Sequence, residues 1–118
     1  MITRGFYTAL GRLLSAADPA AVITEVGFGT NSAAETFDDA ALSADAYRRP
    51  IQGLEVDAGN PRLVRVRWML GPSEAVGLPI REIGLYTDDG VLVARLARAT
   101  AIEKTPDMEL GDYFELQL

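Results

Sequence analysis

Two apolar runs, Ile80 to Tyr86 and Val91 to Arg98, are joined by Thr87-Asp88-Asp89-Gly90, and this segment constrains the fold more than any other. An Asp-Gly step between apolar runs is a strong hairpin signal, because glycine adopts the positive φ of a tight turn without a side-chain clash. The segment is expected to pair with itself, turn at Asp89-Gly90 and bury one face.

Further elements are legible on both sides. Val22 to Phe28 reads as a strand containing Gly27, closed by the turn signal Gly29-Thr30-Asn31-Ser32. Ile51 to Val56 is a candidate strand, closed by Asp57-Ala58-Gly59-Asn60-Pro61. From Leu63 to Leu70, Val64, Val66, Trp68 and Leu70 share one face, and Arg65 and Arg67 the other. Gly71 to Pro79 reads as a loop. At the end, Phe114, Leu116 and Leu118 alternate with Glu115 and Gln117.

Near the N-terminus, Phe6, Leu10, Leu13, Leu14 and Ala17 form a helical stripe, which predicts a helix over 3–17 with Thr3 as N-cap. Asp18-Pro19 ends it, since the residue before proline is pushed out of the helical region. Gly11 costs such a helix about 1 kcal/mol against alanine, which points to close packing on a sheet. Residues 30–50 read as a long arm rich in Ala, Asp, Ser and Thr, with a helical turn near Asp38 to Leu42. Connections of that length in a small domain are functional arms or mobile segments. The expected fold is α+β: an N-terminal amphipathic helix packed on a mainly antiparallel β-sheet or sandwich of about six strands. It forms one domain over 1–118, β-rich from 51 to 118.

The composition excludes several function classes. The 118 residues are 48% hydrophobic, enough for a core. The net charge of −6 disfavours nucleic acid and anionic membrane surfaces as partners. There is no Cys and no His, so there is no disulfide framework, no thiolate nucleophile, and neither the commonest general base nor the commonest metal ligand. No stretch approaches transmembrane length, and Thr8, Gly11 and Arg12 interrupt the only run resembling a signal-peptide core. Lys104 is the single lysine; the other basic residues are arginine.

No catalytic constellation emerges. Gly27-Phe28-Gly29 lacks the third spaced glycine and the lysine of a phosphate loop. Asp38-Asp39 and Asp88-Asp89 lack the alternating oxygen spacing of a calcium loop and read as turn formers. Arg81 and Glu82 fall on opposite faces of one strand, Arg81 with Ile83 and Leu85. Their expected role is to hold a sheet or an interface, with Arg65 or Arg67 as an example of a partner for Glu82. Trp68 is expected as a core anchor. Phe6, Tyr7 and Tyr47 are candidates for an interface cluster, and Tyr47 and Tyr113 are the aromatics a glycan site would use. No metal or cofactor is expected.

At Ile80-Arg81-Glu82-Ile83-Gly84-Leu85-Tyr86, followed by Asp89-Gly90-Val91-Leu92-Val93-Ala94, the sequence resembles the N-terminal tail-collar domain of phage tail fibres. That family spans contractile-tailed phages, prophages and related bacteriocins. The N-terminal helix, Ile23 to Gly29, the Leu42 to Arg48 stretch before Pro50 and a lysine after the hairpin follow in the same order. The Lys104-Thr105-Pro106 region departs from the family's aromatic-lysine-proline pattern, so Lys104 receives no role. The resemblance implies a structural part, not an enzyme and without cofactor, that attaches a fibre to the baseplate. It implies other tail or baseplate proteins as partners, a homo-oligomer such as a trimer, and assembly in the bacterial cytoplasm before incorporation into the virion tail. A fibre-assembly chaperone and a small glycan- or host-surface-binding module are the alternatives. The family's domain normally leads into a long shaft. This sequence stops at Leu118, which is expected of a stand-alone connector or of a chain whose shaft is absent. Interface or structural candidates are Arg81, Glu82, Gly84, Tyr86, Asp89, Gly90, Trp68, Phe6 and Tyr47.

Overall fold

A computed structural model describes residues 1–15, 22–42 and 45–118. Among these, one helix and seven strands form: α1 (Arg4–Leu14), β1 (Ile23–Gly29), β2 (Asp45–Pro50), β3 (Gly53–Asp57), β4 (Asn60–Leu70), β5 (Pro79–Thr87), β6 (Leu92–Glu103) and β7 (Leu110–Gln117). The strands build two antiparallel sheets, one ordered β2-β1-β5-β6 and the other β3-β4-β7. This is the expected α+β class, with one strand more than the sequence suggested.

The core lies between the sheets. Val64, Val66, Trp68 and Leu70 of β4 and Phe114 and Leu116 of β7 meet Val26 and Phe28 of β1, Ile83 and Leu85 of β5, and Val93 and Ala94 of β6. Trp68 is buried and meets Phe28 edge-on, with ring centroids 5.1 Å apart. A ring pair in this geometry adds stabilisation beyond its buried area.

The hairpin closes as the Asp-Gly step requires. Gly90 has φ +85° and donates its N–H to the Thr87 carbonyl at 3.0 Å. Its outer face departs from expectation, because β5 is buried on both sides. Residues 31–42, after β1, lie across the face that the sequence left to solvent. That segment turns at Phe37–Asp38 rather than forming a helical turn near Asp38 to Leu42. The arm is also shorter than 30–50, since Asp45–Pro50 is strand β2, paired with β1 from Glu25↔Pro50 to Phe28↔Tyr47.

Helix α1 packs against β6 and contributes Ala9 to the core. The predicted boundary at Ala17 and the stop at Asp18-Pro19 lie outside the described residues. Thr3 occupies the N-cap position, but its hydroxyl donates to the Leu92 carbonyl at 2.6 Å and makes no cap bond. Gly11 is exposed with open space around it, contrary to the close packing expected there. Gly5 makes the close approach instead: a Cβ at that position would lie 2.2 Å from the Leu92 carbonyl oxygen.

Candidate functional site

Two features of the surface stand out, a strapped face and an open apolar face. On the strapped face, Gly27 of β1 and Gly84 of β5 are register partners and leave the sheet bare of side chains. Leu42 fills the gap, enclosed by Tyr86 and Leu92. The Leu42 N–H donates to the Tyr86 hydroxyl at 3.0 Å, and the Arg48 guanidinium lies 3.6 Å from the Tyr86 ring centroid.

Beside this socket is a buried ionic group. Glu82 is fully buried and accepts from Arg95 Nε at 3.1 Å and from the Asn31 N–H at 3.0 Å. Arg95 also donates to Asp39 Oδ2 and to the Asn31 carbonyl, each at 3.3 Å. Burial works to raise the Asp39 pKa, but the amide and hydroxyl of Thr36 and the Arg95 charge outweigh it and hold the carboxyl below its usual range. The partner of Glu82 is therefore Arg95, not Arg65 or Arg67. The reason is topological: β6 lies beside β5 on the same face, whereas β4 belongs to the other sheet. Arg65 pairs with Asp57 at 2.8 Å.

The open face surrounds α1 and β3. Leu54 and Val56 sit opposite Val66 and Val64 and so point to the core side of their sheet, yet they are 48% and 56% exposed. Leu10, Leu13 and Val22 are exposed as well, and a groove runs between Phe6, Leu10, Leu13, Ile23 and Leu54. Of the helical stripe read from sequence, Phe6 packs against the core, whereas Leu10, Leu13 and Leu14 are exposed, and Ala17 lies outside the described residues. Phe6 and Tyr7 meet edge-on at 5.2 Å, and the next ring is Phe37 at 6.0 Å from Tyr7. Tyr47 lies elsewhere, beside Phe28 on β2, with its hydroxyl donating to Glu74. That bond raises the Tyr47 pKa and lowers that of Glu74, which Arg49 also neutralises. Of the two tyrosines considered for a glycan site, Tyr113 is the exposed one.

The remaining candidates are spread over the molecule. Asp89 lies in the hairpin turn, bonded by the Thr87 hydroxyl and paired with Arg12 of α1. Arg81 is half-buried at an irregularity between Ile80 and Glu82, so the simple alternation that placed it with Ile83 and Leu85 is broken there. Lys104 is buried, with Nζ donating to the carbonyls of Pro72 and Thr105. Among the described residues no group of three or more carboxylates is placed to hold a metal ion, and no helix is long and apolar enough to cross a membrane.

Residues 5–110 match the family described as phage tail-collar fibre protein, N-terminal. The chain belongs to that family. The match runs from Gly5, which seats α1 on β6, to Leu110, the start of β7, so it takes in the hairpin, the strap and the open face. The family is a structural one, which makes this chain a tail-fibre domain that associates with other tail proteins. No curated protein matches the chain.

Proposed function

We propose that this tail-fibre domain attaches a fibre to the baseplate of a contractile tail, and that the open face of α1 and β3 is its contact. The observation that carries the reading is the placement of Leu10, Leu13, Val22 and Leu54, all exposed around one groove, with the exposed Val56 on the same strand as Leu54. Contiguous apolar surface of this kind marks protein–protein contacts. The strap bears on the same role, since Glu82, Gly84 and Tyr86 hold it to the sheet, and Phe6 positions the helix that carries the groove. Self-association as a trimer through this face fits the same surface.

Mass spectrometry of purified particles tests the attachment. The parent chain is expected in the particle, and a Leu13→Glu/Leu54→Glu variant is expected to fold and be missing from it. A chain absent from mature particles but bound to fibre precursors would make it an assembly chaperone instead. Light scattering tests the trimer, and a monomeric mass at high concentration would sink that part alone.

A further inference from the structure

Helix α1 is apolar on two sides. Gly5, Phe6 and Ala9 face β6 and the core. At 3.6 residues per turn, the crest opposite them carries Tyr7, Gly11 and Leu14, with Leu10 alongside. A surface helix normally places charged and polar residues there, and a helix that is apolar around most of its circumference is normally buried. Tyr7 is 56% exposed and Leu14 79%. Gly11 weakens the helix relative to alanine. A Cβ there would meet nothing within 4 Å among the described residues, so no contact inside the described chain requires the glycine.

The crest has a shape that complements itself. Gly11 leaves a hole, and a large side chain stands one turn away on each side, Tyr7 four residues before and Leu14 three residues after. How closely two helices approach depends on the side chains at their contact, and glycine allows the nearest approach. Two such crests crossing at Gly11 bring their backbones together while the flanking side chains interlock.

The charges of α1 are already satisfied. The helix has no acidic residue, and both of its cations are paired within the chain. Arg4 Nε donates to Asp38 Oδ1 at 2.8 Å, and Arg12 pairs with Asp89 of the hairpin turn. A charged partner finds no unpaired charge on α1 to recognise. A second copy brings an equally neutral helix, which matters in a chain whose net charge is −6. The crest also continues into other exposed apolar surface. Phe37 lies 6.0 Å from Tyr7 at one end, and Leu10 joins the crest to the groove along its side.

We infer that the crest of α1 packs against α1 of a second copy, with Gly11 at the crossing point and Tyr7 and Leu14 on either side of it. The inference rests on the reading of this face as a contact surface, and it names this chain itself as the occupant of the helix crest. Leu13 and Leu54, in the groove beside the crest, are left for attachment.

The chain contains no cysteine, so a single introduced cysteine can link only two copies. In a closed symmetric assembly the residue nearest the axis meets its own image. Under mild oxidation Gly11→Cys is expected to form a disulfide-linked dimer at least tenfold faster than Thr8→Cys, an exposed position on the flank of the same helix. Gly11→Lys puts a better helix former into open space. Circular dichroism is expected to show it folded, and light scattering to show self-association at least tenfold weaker than the parent's. Linking rates decide alone should the lysine variant fail to fold. A parent chain that is monomeric at its highest soluble concentration, equal linking at Gly11 and Thr8, or unchanged association of folded Gly11→Lys overturns the inference. Attachment is judged separately, because Gly11→Lys keeps Leu13 and Leu54, and Leu13→Glu/Leu54→Glu keeps Tyr7, Gly11 and Leu14. Loss of the double variant from particles supports attachment whether or not the crest self-associates.

Discussion

Gly27 and Gly84 face each other across β1 and β5, and together they form the floor on which Leu42 rests. Neither needs glycine for its backbone angles. A Cβ on Gly84 would lie 2.8 Å from Leu92 Cδ1 and 2.9 Å from Leu42 Cδ2, and one on Gly27 would lie 2.9 Å from the Tyr86 ring. Filling that space forces neighbours out of place, which costs about 1–3 kcal/mol in a packed site. Gly84→Val is expected to lower the unfolding free energy measured in urea by that amount and to speed amide exchange from Asn31 to Leu42. A variant with parental stability and exchange would mean that Leu42 is not seated there.

The Glu82–Arg95 pair predicts non-additive mutants. Removing one partner leaves the other charge buried, a loss of about 3–5 kcal/mol, whereas replacing both by apolar residues removes the problem. Glu82→Leu and Arg95→Leu should each destabilise strongly, and the double variant should cost less than their sum. Both changes release a bond to Asn31, and Arg95→Leu also releases Asp39. Urea denaturation of the four proteins measures the coupling, and additive losses would show that the pair acts through separate contacts.

The legible parts of this fold are the ones decided by local chemistry. Asp89-Gly90 specifies its turn within four residues, and the alternation from Val64 to Leu70 specifies a half-buried strand. What sequence could not show depends on distant partners. The strap is held by Asn31 to Glu82 and by Asp39 to Arg95, contacts 51 and 56 residues apart. Polar arm residues gave no periodic signal for that placement. Strand β2 was missed because its Arg48-Arg49-Pro50 end reads as loop, a composition that suits an edge strand. The apolar stripe of α1 was readable, but spacing alone does not say whether a stripe is covered. Gly5 and Gly11 look alike in sequence, and only the position of β6 separates them.

Acid stability follows from four carboxylates that titrate below their usual range in the folded chain. Asp39 is lowered against burial by Thr36 and Arg95, Asp57 by Arg65, Glu74 by Tyr47 and the Gly71 amide, and Asp89 by Thr87 and Arg12. The unfolded chain then binds more protons in acid, so stability rises with pH there. Their contribution is fully present above about pH 5, beyond the ordinary carboxylate values, and is lost as the pH falls through the lower folded values. Urea midpoints should be flat from pH 7 to 5 and fall below that. Asp39→Asn should reduce the slope, and an unchanged slope would remove Asp39 from the account. Tyr47 behaves in the opposite sense: its raised pKa gives stability that is lost as the pH rises above about 10.

The turn at Gly90 separates strain from crowding. Its φ of +85° is a conformation that side chains resist, yet a Cβ there would meet nothing within 4 Å. The penalty for substitution is therefore backbone strain alone, about 1–2 kcal/mol for an ordinary residue and larger for a β-branched one. Asparagine tolerates this region best among non-glycine residues. Stability should fall in the order Gly90→Asn, Gly90→Ala, Gly90→Val. The surrounding bonds should survive in the mildest variant, because the Val91 N–H to Thr87 hydroxyl contact at 3.0 Å does not involve Gly90. Thermal melts of the three variants check the order. An asparagine variant as damaged as the valine one would show that something other than φ holds glycine at the turn.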